Sequence, residues 1–199
     1  MASHSPGTNG SALLPEPEIR SGLIDRLGTL GDRFFALLDA ARDPRIVDLL
    51  RESGSPFHSL YESPKAEQLA EFAPYLVELT ADAPLLGRLV AGGWGESWGL
   101  YLAAEAADLD GLRRHFRRFL TVEIPGGRTA LFRFYDPRVL REFLPSWTPE
   151  EAADFFGPAS RFAIEGEGAD ILLEFRLAPG GEFIRDEIHL ADLRSRAPR

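Results

Sequence analysis

The sequence predicts a single α/β (α+β) domain, a mixed β-sheet covered by short helices, and three observations carry that expectation. Short apolar runs rich in β-forming residues alternate with segments whose apolar residues recur at helical spacing. A proline directly follows an aspartate or threonine at positions 43–44, 136–137 and 148–149, the cap-and-proline device that opens helices. Pro125-Gly126-Gly127 separates two strand-like runs with the turn chemistry of an antiparallel hairpin, which argues against an all-parallel sheet. With 199 residues, 44% of them hydrophobic and 27% charged, the chain is long enough to bury one substantial core.

Residues 1–17 mix Ser, Gly, Pro and Asn with few apolar groups, a composition that cannot repay the entropy of ordering, and a flexible tail is expected there. Ile19, Leu23, Leu27 and Leu30 then recur as one helix face, and residues 34–38 form a compact buried strand ended by Asp39. Asp43 and Pro44 open a helix whose face is Ile46, Leu49 and Leu50 and which stops at Gly54. Strands are expected over 57–61 and 75–79, with helix-capable sequence over 65–72 between them and a helix from Pro84 to Val90 after them. Beyond the glycines at 92, 93 and 95, residues 97–103 read as a strand.

The clearest helix covers 109–119, where Leu109, Leu112, Phe116 and Phe119 make the buried face and Arg113, Arg114, Arg117 and Arg118 the opposite one. A hairpin over 120–124 and 129–135 follows, then a helix after Asp136-Pro137 and another at Thr148-Pro149-Glu150-Glu151, where Thr148 and Glu151 form a capping box. Strands at 161–165 and 171–177 close the domain, which thus runs over 18–177. Pro179-Gly180-Gly181 breaks the pattern, and 178–199 is expected to be a tail with a short amphipathic helix over 183–193.

Composition narrows the function. No cysteine is present, so disulfides, thiolate catalysis and thiolate metal sites are excluded. His4, His58, His115 and His189 show no metal-ligand spacing, and no cofactor motif accompanies them. A formal net charge of −9 disfavours nucleic acid, whose phosphates such a surface repels. No apolar run reaches the roughly 20 residues needed to span a bilayer and no secretory signal is evident, so a cytoplasmic protein without a membrane partner is expected. No GxSxG-like elbow and no selectable carboxylate pair points to catalysis, leaving an enzyme open only as a hydrolase-like site assembled across the fold.

Two strings stand out. In 132–140, FRFYDPRVL, strand alternation would place Phe132 and Phe134 in the core and Arg133 and Tyr135 on the other face. Asp136 would cap the next helix, Pro137 would start it, and Arg133 would pair with an internal carboxylate such as Asp39. In 93–99, GWGESWG, Trp94 and Trp98 each serve either as core filler or as a binding anchor. Trp94 together with the arginine face that carries Arg113 and Arg117 is the candidate partner-binding patch, since tryptophan and arginine supply most interface hot spots.

These two strings, with FALLDA at 35–40, the downstream Asp43-Pro44 and PYLV at 74–77, resemble in order and spacing a family of type VI secretion adaptors, the domain of unknown function 4123, over roughly residues 32–164. The resemblance implies a non-enzymatic cytoplasmic chaperone. Its implied partners are a toxic effector protein, which it binds, and the trimeric valine-glycine repeat spike protein, onto which it helps load that effector.

Overall fold

The computed structural model describes residues 16–62 and 68–193. In chain order these contain α1 (Pro17–Gly28), β1 (Phe34–Asp39), α2 (Arg45–Ser53), β2 (Phe57–Ser59), β3 (Pro74–Leu79), α3 (Pro84–Gly93), β4 (Gly99–Ala103), α4 (Leu109–Arg117), β5 (Thr121–Ile124), β6 (Arg128–Leu131), α5 (Pro137–Phe143), α6 (Pro149–Phe156), β7 (Arg161–Glu165), β8 (Ile171–Leu177) and β9 (Phe183–His189). The fold is α+β in one domain: a seven-stranded sheet in the order β2-β3-β1-β4-β7-β8-β9, with β5 and β6 paired separately.

Every pairing in the large sheet is antiparallel, which corrects the mixed sheet expected from the alternation of strands and helices. The reason lies in the crossover. β3 and β4 both run antiparallel to β1 and therefore parallel to each other, but α3 carries the chain over β1, so the parallel relation falls between strands that do not touch.

β1 is buried along its whole length and serves two cores. Phe34, Ala36 and Leu38 face α1, α2 and α3 with Leu27, Ile46, Leu50 and Leu86. Phe35 and Leu37 face α4, α5 and α6 with Leu112, Phe116, Leu140 and Phe155. Such two-sided burial explains why the strand reads as one apolar run instead of an alternating one. Each fully buried Leu or Phe of these layers contributes about 1.5–3 kcal/mol of transfer free energy.

The helix signals are confirmed at the level of single caps. Asp136 accepts from the Arg138 amide, Thr148 and Glu151 make the reciprocal capping box, and Gly54 closes α2 at φ 69°. Asp43 accepts from the Arg45 amide at 2.8 Å, so it caps α2 although the helix begins one residue beyond Pro44.

Three expectations need correction or restriction. Residues 183–193, expected as a helix within a tail, form β9 and a 3₁₀ turn over Leu190–Leu193. The turn after β8 folds the chain straight back, with Ala178 N–H on Glu182 O and Gly181 at φ 82°, and β8 supplies a partner from Leu177↔Phe183 to Ile171↔His189. Tertiary pairing thus overrides an ambiguous local pattern. The second hairpin strand ends at Leu131, and residues 132–135 turn away, so Phe134 and Tyr135 are both buried and the strand alternation assigned to them does not hold. Most of the expected N-terminal tail and the start of the helix-capable stretch at 65–72 lie outside the described residues; what is described of the latter includes a 3₁₀ turn over Ala70–Phe72. Among the described residues no helix is long and apolar enough to cross a membrane.

Candidate functional site: an apolar groove beside a polar brace

The distinctive strings of the sequence converge at one end of the sheet. Asp39, at the end of β1, is completely buried, and Arg133 meets its Oδ2 through Nη2, the pairing expected from sequence. The hydrogen bond to Asp39 is the main reason the Arg133 guanidinium is held above its ordinary pKa. The Asp39 amide donates to Trp98 O at 2.7 Å and its Oδ1 accepts from the Ala41 amide at 3.2 Å, which ties β1 to the 94–99 loop.

Asp136, only 2% exposed, takes Arg138 bidentately at 3.0 and 2.6 Å. Burial pushes its carboxyl up, but the side-chain and backbone bonds from Arg138 outweigh it and the pKa falls below the usual carboxylate value. Pro137 begins α5 directly behind it. Tyr135 is buried, and that burial, reinforced by a hydrogen bond with Tyr61, pushes its hydroxyl up.

The 93–99 string is a second brace. Gly95 at φ 86° and Ser97 at φ 57° wrap the backbone around the buried carboxylate of Glu165, which accepts from the Gly95 amide at 2.7 Å and from the Ser97 amide and hydroxyl at 3.0 Å each. Burial is the leading influence on Glu165 and raises its pKa despite those bonds. The Trp98 ring packs on Gly93, where a Cβ would come within 2.6 Å of it, and the Arg45 guanidinium lies over the ring at 5.2 Å.

Trp94, assigned to the partner-binding patch from sequence, is instead 3% exposed and donates Nε1–H to Ala169 O at 2.7 Å. Arg113 donates to Ser59 O at 2.8 Å and faces Glu62 at 3.4 Å, and Arg117 also pairs with Glu62. Both arginines therefore clamp the β2 segment onto α4, while Arg114 and Arg118 are the members of the face that reach solvent. The expected patch does not assemble. The indole and the guanidinium groups found internal partners whose positions depend on tertiary structure.

Among the described residues every fully buried side-chain nitrogen and oxygen has a hydrogen-bond partner. Those residues hold no set of three or more His, Asp or Glu grouped as a metal centre.

A different region is open. Between β5 and the α5–α6 pair runs a groove of about 680 Å³, lined by Phe119, Val122, Leu131, Phe132, Phe143 and Trp147 among others. Leu131 is 52% exposed, Phe143 47% and Val122 38%, an unusual concentration of large apolar side chains in water. The floor is an aromatic cluster: the Phe132 ring centroid lies 5.5 Å from Phe143 and 6.2 Å from Trp147, and Trp147 lies 4.8 Å from Phe155. Among the polar lining residues Arg118 pairs with Asp154 at 2.7 Å, Glu151 caps α6, and Glu123 is exposed. Together they make a concave, mostly apolar cleft with a few polar groups at its edge, the general character of a binding site.

The hairpin sequence itself carries a signal for this groove. A hairpin of four-residue strands bearing Val122, Ile124 and Leu131 cannot bury both faces alone, so some of its apolar side chains had to remain exposed.

No curated protein and no solved structure matches the chain. A family model described as domain of unknown function (DUF4123) matches residues 34–154, from the first residue of β1 to within α6, and so takes in Asp39, the 93–99 loop, the Asp136 cap and the groove lining except Phe155. With more than half its length under that match, the chain belongs to the DUF4123 family.

Proposed function

We propose that this protein is a non-enzymatic adaptor that binds a type VI secretion effector and helps load it onto the spike protein, as the resemblance of its strings to that adaptor family implies, and that the effector is held in the groove between β5 and α5–α6. The observation that carries this reading is the groove itself. Leu131, Phe143 and Val122 stand in solvent beside an aromatic floor, and a contiguous exposed apolar patch of this kind marks an interaction site. Aromatic anchors in a partly desolvated cleft are the residues that dominate interface energies.

The test is co-expression of this chain with the effector encoded beside it, followed by capture on the tagged effector and measurement of affinity. Wild type is expected to co-purify. Phe143→Asp places a charge at the mouth of the groove and should weaken capture by about 30-fold or more, the scale of a hot spot worth about 2 kcal/mol. Folding should survive it, because Phe143 is half exposed at the end of α5. Equal capture by wild type and Phe143→Asp would remove the groove from the interface, and no capture by wild type would remove the adaptor reading.

A further inference from the structure

The backbone of β5 specifies more about the occupant than its side chains do. Thr121 stands opposite Leu131, Val122 opposite Ala130, Glu123 opposite Thr129 and Ile124 opposite Arg128. The Phe132 amide donates to Leu120 O at 2.9 Å, joining the residues that flank the Thr121–Leu131 pair. In an antiparallel ladder this makes Thr121–Leu131 and Glu123–Thr129 the non-hydrogen-bonded pairs. The N–H and C=O groups of Thr121 and Glu123 therefore point away from β6. Among the described residues no strand lies on that side, because β5 and β6 form a sheet of two strands, and both residues are exposed.

This free edge borders the groove. All four residues of β5, 121–124, line it, whereas of β6 only Leu131 does. Successive side chains of a strand point to opposite faces, so a cavity that meets all four runs along the strand's edge instead of against one face. Natural edges are commonly blunted with charge or proline, yet within β5 the edge carries one charge, Glu123, and no proline.

Charge selects the occupant further. Arg118 is matched by Asp154 and Arg133 by Asp39, whereas Glu123 has no ion-pair partner among the described residues and Glu151 is held only by the Thr148 cap. The mouth of the groove is thus acidic around an apolar floor.

We infer that the groove takes an extended segment of the bound protein as a third strand beside β5, apolar at every second position and carrying lysine or arginine between. Its alternate apolar side chains rest on Phe132, Phe143 and Trp147, its backbone pairs with Thr121 and Glu123, and its cations face Glu123 and Glu151. Main-chain pairing supplies affinity and the alternate pockets supply selectivity. An amphipathic helix satisfies its own backbone and would leave the edge groups of β5 to water. The inference rests on the adaptor reading only for the source of the segment.

Its test uses the full chain and a probe independent of any effector: a short synthetic peptide alternating valine with lysine, compared by fluorescence polarisation with a twin N-methylated on the amides of one edge at a time. Saturable binding is expected, weakened about tenfold or more when the amides facing β5 are methylated, since each methyl group removes a backbone hydrogen bond to the strand edge. Thr121→Pro and Glu123→Pro should weaken the unmodified peptide to a similar degree with an unchanged melting temperature, because their N–H groups make no bond to β6. Equal binding of both twins, equal binding by the folded proline variants, or no saturable binding would overturn the inference; should a proline variant unfold, the methylated twin decides. Parallel capture of the effector separates the two readings. Proline variants that bind it as wild type does leave the adaptor and remove the edge, whereas edge-dependent peptide binding with no effector capture leaves the edge and removes the adaptor.

Discussion

The brace and the groove lie side by side, joined through residues 131–134, and they treat the same residue types in opposite ways. At the brace, charges are buried and matched: Asp39 with Arg133, Asp136 with Arg138, Glu165 with three donors of the 95–97 loop. At the groove, aromatic and aliphatic side chains are exposed and unmatched. Most residues of the distinctive strings built the brace, and the surface suited to a partner was completed by residues outside them, the hairpin's Val122 and Leu131 with Phe143 and Trp147. Conspicuous composition in this chain marks internal architecture, because buried polar groups demand specific partners whereas an apolar groove demands only apolar residues of about the right size.

The sharpest way to break that contrast is to make one substitution in both regions. Phe134 is fully buried, and its ring lies 5.4 Å from that of Phe155. Phe134→Ala should therefore cost about 3–5 kcal/mol, by lost transfer free energy plus the cavity left behind. The same change at Phe143 should cost under about 1 kcal/mol, since nearly half of that ring is already in water. Chemical denaturation of both variants checks this, and similar losses would mean that the groove is core.

Next in size is the ion pair. Arg133→Ala leaves the Asp39 carboxylate buried without its cation, and the expected loss is about 2–3 kcal/mol, below the range for fully enclosed pairs because Arg133 itself is 39% exposed. Asp39→Ala strands only an arginine that can turn to solvent, so it should cost less than Arg133→Ala. Thermal melts of the two variants and their double mutant would give the coupling, and two wild-type melting temperatures would place the pair outside the brace.

A smaller effect carries a pH signature. Glu165→Gln replaces one acceptor oxygen by a donor facing an amide, which should destabilise by about 1–3 kcal/mol. Because burial raises the Glu165 pKa in the folded state, the proton binds the folded protein more tightly than the unfolded chain. Its contribution is fully present below the unfolded carboxylate value of about 4.3 and is lost as pH rises through the folded value. The stability gap between wild type and Glu165→Gln should therefore shrink from acid to neutral pH. A gap that widens would mean that the three donors outweigh burial.

Much of this fold was legible in the sequence for local reasons. Residues 161–165 and 171–177 were placed to the residue because each is bounded by turn chemistry, and Asp136 and Thr148 announced their helices through side chains that act within three positions. What was not legible is long-range. That the helical crossovers skip a strand and that the Trp94 indole meets Ala169 O are decided by groups far away in the chain, and β9 was missed because its local pattern was ambiguous until β8 offered it a partner. The Arg133–Asp39 pair was an exception, since two charges closing apolar runs needed each other wherever the runs met.

The smallest expected effect tests the groove's side of the contrast. Leu131 is half exposed and stands opposite Thr121 at a non-hydrogen-bonded position of the hairpin. In the isolated protein Leu131→Ser removes little buried area and leaves the ladder bonds intact, so the unfolding free energy should change by no more than about 0.5 kcal/mol. Leucine exposed in this way also promotes self-association, so the serine variant should stay monomeric at concentrations where wild type begins to associate. Sedimentation and denaturation measured together decide the matter. If Leu131→Ser is destabilised by more than about 1 kcal/mol, the side chain packs inside the hairpin's own core, and the groove loses the apolar edge on which its partner would rest.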